Sequence, residues 1–414
     1  MYEKAVKPHG ALLASLLWLI ASIAIAEPLR ITAEGVEADC AFSVLTFEIR
    51  GVPESQTVTL KSLPGGEAVP CQVLSRTASR VKIAWVATAL KKDKQATWEI
   101  GLVPADTTAP AGVEVKPKGE DFEVFFGGRL FTRLNHDPAH RKPYFFPLMG
   151  PNGKMITRQF PMKEGVDGED QDHPHQRSVW FTHGAVGGVD FWTEGARTGS
   201  IRKTRVDAVE SGPVFGRIAT RNEWVTPEGK TLLDDRRVLV FYPLERDQAF
   251  LDVFVTLTAE GHDIVFGDTK EGSFGVRLAE SMKEARGGVV VTSRGTNGTM
   301  DAWGKPAEWV DYVGRVEGDT VGVAILDHPT SFRHPTHWHV RDYGLFAANP
   351  FGYQAFYKKA PGKDGTYKLK KGNSMSFRYR MYLHHGSVTE AKVEEVYNGF
   401  AKEPGLRLWL AKSP

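Results

Sequence analysis

The runs GRIATRNEWVT (216–226), RRVLVFYPL (236–244) and AFLDVFVTLTA (249–259) follow one another with only turn residues between them. Each is rich in β-branched and aromatic residues, and no helical segment separates one from the next. Parallel strands need a crossover of a dozen or more residues, so this spacing predicts consecutive antiparallel neighbours, a meander. The signal extends upstream. DFEVFFGGRLFTRL (121–134) places two alternating runs around Gly-Gly, and YFFPLMGPNGKMITRQF (144–160) carries Pro-Asn-Gly as a hairpin connection. One helix is predicted, near the end of the chain. Ser387 and Glu390 form a capping box in SVTEAKVEEVYNGF (387–400), and Val393, Val396, Tyr397 and Phe400 share one face suited to core packing.

Residues 29–104 carry a second set of short strands: AFSVLTFEI (41–49), QTVTLKSL (56–63), RVKIAWVAT (80–88) and ATWEIGLV (96–103). That density of strands predicts a small immunoglobulin-like β-sandwich. PADTTAPAGVEVKPKG (104–119) has linker composition. The expected organisation is therefore a small sandwich at 27–105, a linker at 106–119 and a large antiparallel β-sandwich at 120–403.

Lys4 and Lys7, the apolar ALLASLLWLIASIAI (11–25) and the small-residue AIA before Glu27 read as a secretory signal over 1–26. No later run reaches the length of a membrane span, so the expected product is secreted or periplasmic. The 414 residues carry 52 Lys and Arg against 50 Asp and Glu, a balance that gives no indication of a nucleic-acid partner. Cys40 and Cys71 form either a disulfide or two separate thiols, and the sequence leaves both open. It leaves the oligomeric state open as well.

Six of the thirteen histidines fall in two short windows, DQDHPHQRSVWFTHG (170–184) and SFRHPTHWHVRDYG (331–344). Pro174 enforces extended backbone between His173 and His175, so both imidazoles point to one side. His337 and His339 repeat the arrangement, with Trp338 on the other face. Such pairs suit a transition metal, a polar cleft with groups that titrate near neutrality, or hydrogen-bonded loop fixation. Arg177 and Arg341 each follow a pair by two residues, which weighs against a purely structural role. GDTKEGSFGVR (267–277) adds Asp268, Lys270, Glu271 and Arg277 after an apolar strand. Asp190 and Trp192 in GGVDFW (187–192), and Asp342, Tyr343 and Asn349 in RDYGLFAANPFG (341–352), are residue types that meet sugar faces and hydroxyls. Phosphate-cradling, dinucleotide and Ser-elbow motifs are absent, and no cysteine lies in the large domain.

RKPYFFPLMGPNG (141–153), DHPHQRSVWFTHGAVGGVDFW (172–192), TKEGSFGVR (269–277) and RHPTHWHVRDYGLFAANPFG (333–352) resemble the secreted bacterial proteins labelled PmoA-like, after a methane-oxygenase subunit. The chain departs from that family's HPHHRG pattern at Gln176 and Ser178. A methane oxygenase spans the membrane with several helices, which this chain lacks, so the label implies no activity here. The strand content is similar to the galactose-mutarotase-like β-supersandwich, in which sugar-active enzymes use His, Glu and Arg in a cleft on one sheet. Taken with the strand pattern, the expected fold is all-β: a small immunoglobulin-like sandwich, then a large antiparallel supersandwich with one C-terminal helix.

The expected function is a carbohydrate-active enzyme of lyase, hydrolase or epimerase type. It would act by acid–base chemistry on a small-molecule or oligosaccharide substrate. His173, His175 and His183 are expected to meet His337 and His339, with Glu271 as base. Arg177 and Arg341 would hold a sugar oxygen, and Trp180, Trp192 or Tyr343 would stack on the ring. Asp190, Lys270 and Asn349 complete the expected binding set. No cofactor is required by this reading. The alternatives are a transition metal on the two His-x-His pairs and a sugar-binding protein without catalysis.

Overall fold

A computed structural model describes residues 29–34, 36–78, 80–107 and 112–402, and the backbone of 407–411. The signal expected at 1–26 and positions 108–111 of the expected linker lie outside these residues. Among the described residues no helix is long and apolar enough to cross a membrane.

The protein is all-β, as the alternation predicts. Residues up to Pro104 form two packed sheets. One pairs Cys40–Arg50, Arg80–Leu90 and Cys71–Thr77. The other runs Arg407–Ala411, Arg30–Glu34, Ala96–Pro104, Gln56–Leu63, Ala68–Val69, so a strand from the far end of the chain completes the first module. Ile31, Leu45, Val58, Ile83, Trp85 and Trp98 alternate inward and fill the space between the sheets. Cys40 and Cys71 are free thiols. Each gives its S–H to a backbone carbonyl, of Ala38 and Val58 respectively.

The large domain consists of two eight-stranded antiparallel sheets. The back sheet runs in the order Ser200–Glu210, Gly216–Val225, Thr231–Pro243, Ala249–Thr258, Ser374–His385, Asp319–Asp327, Trp309–Val316, Val289–Thr292. The predicted meander is its first half, with Leu239 opposite Val253. The front sheet runs Trp338–Val340, Leu345–Ala348, Gly272–Arg277, Val179–His183, Tyr144–Leu148, Arg129–Asn135, Asp121–Phe126, Val113–Lys118. Its last strand corrects the expected linker. Val113 and Val115 sit in the core, and Val115 pairs with Val124. The VEV alternation was masked by the prolines and glycines around it, and the large domain begins at 113 and not at 120.

Successive side chains on each strand take opposite faces, and this divides the molecule into layers. Val179, Phe181, Phe274 and Val276 of the front sheet meet Leu239, Leu251 and Val253 of the back sheet in the main core. The outer face of the back sheet, with Phe250, Leu326 and Tyr382, is covered by Ala41 and Phe42 of the small sandwich and by the C-terminal helix. Gln72 seals the join, its Oε1 accepting the N–H groups of Val214 and Phe215 at 3.1 and 3.0 Å. A Cβ at Gly212 would lie 2.3 Å from the Gln72 carboxamide, so only glycine permits this approach. The predicted stripe is buried here through Val393, Val396 and Phe400, with Tyr397 packed beside them. The capping box forms between Ser387 and Glu390, but it closes a preceding turn. The helix itself spans Val393–Ala401, after Lys392 in the left-handed region (φ 55°).

That leaves the outer face of the front sheet. It carries a separate cluster of Tyr144, Trp180, Trp192, Leu345 and Ala347, and the histidine windows lie around it.

Candidate functional site

The site is built on one row of the pleat. His339 pairs with Ala347, Ala347 with Gly275, Gly275 with Trp180, and Trp180 with Tyr144, so all five positions share the outer face. The middle of the row has almost no side chain. A Cβ at Gly275 would lie 3.0 Å from the Trp180 ring and 3.3 Å from that of Trp192, so the missing side chain lets both indoles lie against the sheet. The two rings meet edge to face, 5.1 Å between centroids, and both are fully buried.

The loop bearing His173 and His175 is fixed from beneath by two buried arginines. Arg158 donates to the carbonyls of Asp170, Asp172 and His173 and to the Asp172 carboxylate. Arg277 donates to the same carboxylate at 2.7 Å and to Gln176 Oε1. Burial raises the Asp172 pKa, but Arg277, His173 and Arg158 outweigh it and hold the carboxyl below its ordinary range. Asp172 also meets His173 Nδ1 at 2.8 Å. The ring of His173 stacks on Tyr343 at 5.2 Å, and Arg277 lies 4.5 Å from the same ring. The two histidine windows therefore meet through His173 and Tyr343. His175 packs against His173, 5.7 Å between centroids. Burial, with the Lys142 charge second, lowers its pKa to about 4, so it is neutral at physiological pH.

On the opposite side His339 presents Nδ1 to the carbonyl of Lys270 at 2.6 Å. A carbonyl only accepts, so Nδ1 carries the hydrogen and Nε2 keeps its lone pair. Burial and the Lys270 charge lower this imidazole to about 3. Trp303, next to the one-turn helix Thr299–Ala302, meets the His339 ring edge to face at 5.0 Å. Arg341 lies over Trp303 at 5.0 Å and beside Tyr343 at 5.6 Å. Its guanidinium is solvent-exposed and has no hydrogen bond or ion pair among the described residues.

The remaining expected residues are engaged elsewhere. Arg177 does not face a substrate position. It forks onto Glu194 through Nε (3.0 Å) and Nη2 (2.9 Å), and buried Lys142 adds a third contact to that carboxylate at 3.0 Å. Burial opposes ionisation of Glu194, but Lys142 and Arg177 keep its pKa low. His183 points into the main core, against Phe351, with Nε2 on the Gly267 carbonyl at 2.9 Å. His337 Nε2 is hydrogen-bonded to the Tyr357 hydroxyl at 2.8 Å, and the ring packs on Tyr353. Asn349 bridges the Thr269 carbonyl and the Phe351 N–H. Asp190 caps the Trp192–Thr193 turn, and Glu271 pairs with Lys270. Trp180 and Trp192 are too buried to meet a ligand face, and Tyr343 is taken by His173 and Arg277. Trp303, like Tyr343, is half-buried.

Sequence reasoning passed over Trp303, Lys142, Glu194 and Arg158. Trp303 and Glu194 lie among polar and glycine residues outside any periodic run, and Lys142 and Arg158 read as ordinary charges flanking strands. Among the described residues no group of three or more His, Cys, Asp or Glu is arranged to hold a metal. A hollow of about 220 Å³ at another part of the large domain is lined by Phe126, Arg129, Met149, Pro243 and Asp247. It holds no histidine, and its two charged residues pair with each other.

The profile of DUF6807, a family of unknown function, matches residues 121–398, which contain the whole cluster. No curated protein matches. Among solved structures, a protein in the glycosyl hydrolase family 38 from Enterococcus faecalis aligns at 10% identity with a TM-score of 0.44. The alignment covers 93% of this chain but 47% of that one, so the chain spans about half the length of this neighbour.

Proposed function

We propose, for a chain that belongs to the DUF6807 family of unknown function, that the outer face of the front sheet is a sugar site working by acid–base chemistry. The observation that carries this reading is the setting of His339. Its Nδ1–H is committed to the Lys270 carbonyl, and the ring stays neutral beside an aromatic face and an unpaired arginine. A neutral imidazole with a free Nε2 accepts a proton, and Arg341 would stabilise the negative charge that develops on a bound oxygen. His175, also neutral, is the second proton carrier. Trp303 is the platform for the apolar face of the ring. The motif resemblance to PmoA-like proteins and to mutarotase-like sandwiches belongs to this reading, as does action outside the cytoplasm after cleavage before Glu27. N-terminal sequencing of the exported protein checks the cleavage.

The test is a panel of glycosides and free sugars assayed for bond cleavage, elimination and epimerisation. Wild type is expected to turn over one class, and His339→Ala, a truncation of a buried ring, to lower kcat per folded molecule by about 10²-fold or more. Full activity in His339→Ala would remove the proposal. The metal alternative is checked by elemental analysis of protein purified without chelators. One transition metal per chain, lost in His337→Ala/His339→Ala, would favour it.

A further inference from the structure

We infer that the ligand of this face is an acidic sugar, whose carboxylate is received by Arg341; the inference rests on the sugar-site reading and names its substrate class.

The argument is one of charge. Asp172 carries two buried cations, Arg158 and Arg277, and Glu194 carries two more, Arg177 and Lys142. Glu271 is matched singly by Lys270. Asp190 is satisfied by backbone N–H groups and the Thr193 hydroxyl, and Asp342 is exposed at the rim. Asp190 also acts on Lys142 and Glu169 on Arg158, so the buried layer is balanced, and the cation of this face left without a carboxylate among the described residues is Arg341.

Arg341 is where an anion would be met. It stands at the open side of the cluster, held in place by Trp303 and Tyr343 and not by a carboxylate. Stacking fixes the plane of the guanidinium and leaves its N–H edge free, which is the geometry that grips a planar carboxylate through two parallel hydrogen bonds. The same aromatic ring that orients Arg341 also touches His339. A carboxylate on Arg341 therefore brings the adjoining carbon atoms of its sugar toward Nε2 of His339. A neutral sugar has no carboxylate to offer Arg341.

The experiment is isothermal titration of the full mature chain with galacturonate and glucuronate oligosaccharides, their neutral galactose and glucose counterparts, and sulfated counterparts of equal length. Wild type is expected to bind a uronate roughly tenfold or more tighter than its neutral partner, with the margin shrinking as salt rises. Arg341→Gln should erase the margin, lowering uronate affinity by much more than neutral-sugar affinity. Arg341 is exposed and has no side-chain hydrogen bond or ion pair among the described residues, so the variant is expected to keep its melting temperature; Arg341→Lys, which keeps the charge but not the fork, should recover only part of the margin. A margin that survives Arg341→Gln, equal binding of neutral sugars, or a preference for the sulfated series would each overturn the acidic-sugar inference. Failure of every sugar to bind would instead overturn the sugar-site reading on which it rests.

Discussion

The ring of His173 lies nearly parallel to that of Tyr343, with 5.2 Å between centroids and 13° between planes. This contact joins two segments far apart in the chain, and Arg277 on the same tyrosine ties both to the sheet. Because Arg277 and Arg158 share Asp172, that carboxylate is the anchor of the whole assembly.

Asp172→Asn should therefore destabilise the fold by roughly 2–4 kcal/mol. The variant leaves two fully buried guanidinium groups without a counter-charge, and the partial exposure of Asp172 places it at or below the low end of the range for broken buried pairs. Chemical denaturation measures it, and a loss below 1 kcal/mol would mean the arginines find other partners.

His183 and His339 should separate stability from activity. His183→Ala opens a cavity beside Phe351 and is expected to cost about 2–4 kcal/mol while ligand affinity stays within twofold. His339→Ala also removes a buried ring, but is expected to abolish activity in protein that is still folded. If His183→Ala abolishes activity in protein that is still folded, the core assignment of this histidine is wrong.

Trp303→Ala removes the surface on which Arg341 rests and the edge contact to His339. Affinity for the sugar is expected to fall by about tenfold, the size of one lost aromatic–ligand contact. The binding-linked change in tryptophan fluorescence should disappear with it. A variant that keeps both would place the platform elsewhere.

Stability should fall on the acid side of neutrality. Burial lowers His136 and His339 to about 3 and His183 and His337 to about 4. The unfolded chain titrates these groups near 6.5, so below that pH it binds protons the folded chain refuses, and stability is lost as pH falls toward 4. His384 acts in the opposite sense. Burial disfavours its charge, but Asp311 overcomes this and raises the pKa. Its contribution is present below 6.5 and is lost as pH rises through the raised value. These four, joined by His175 at about 4, outweigh one, and each contributes about 1.4 kcal/mol per pH unit across its window. Melting temperature followed from pH 7 to pH 4 should decline throughout, and His183→Phe should flatten the slope; a level profile would contradict the burial of these rings.

Periodicity was enough to read the meander, the small sandwich and the apolar helix face, because alternation of Val, Phe and Leu reports directly on burial. It was not enough at Val113–Lys118, where Pro117 and neighbouring glycines hide two inward valines. For the site, the residue types were legible and their partners were not. Arg177 and Arg341 occupy equivalent places in the sequence, yet one is bound by Glu194, seventeen residues on, and the other stacks on Trp303. His337 and His339 share a face, but the Tyr353–Phe356 turn covers the first. Which polar group stays free is decided by loops that carry no period.

The pairing of Arg407–Ala411 with Arg30–Glu34, Leu410 opposite Ile31, bears on how the chain is assembled during synthesis. The first module has its core residues early, but one edge of its larger sheet stays bare until residues 407–411 have been made. A bare edge is a template for the wrong neighbour. The closing strand is made only after the whole large domain has been synthesised, so the small sandwich is sealed last although it is made first. A ribosome that stops short of 407 releases a chain marked by that open edge.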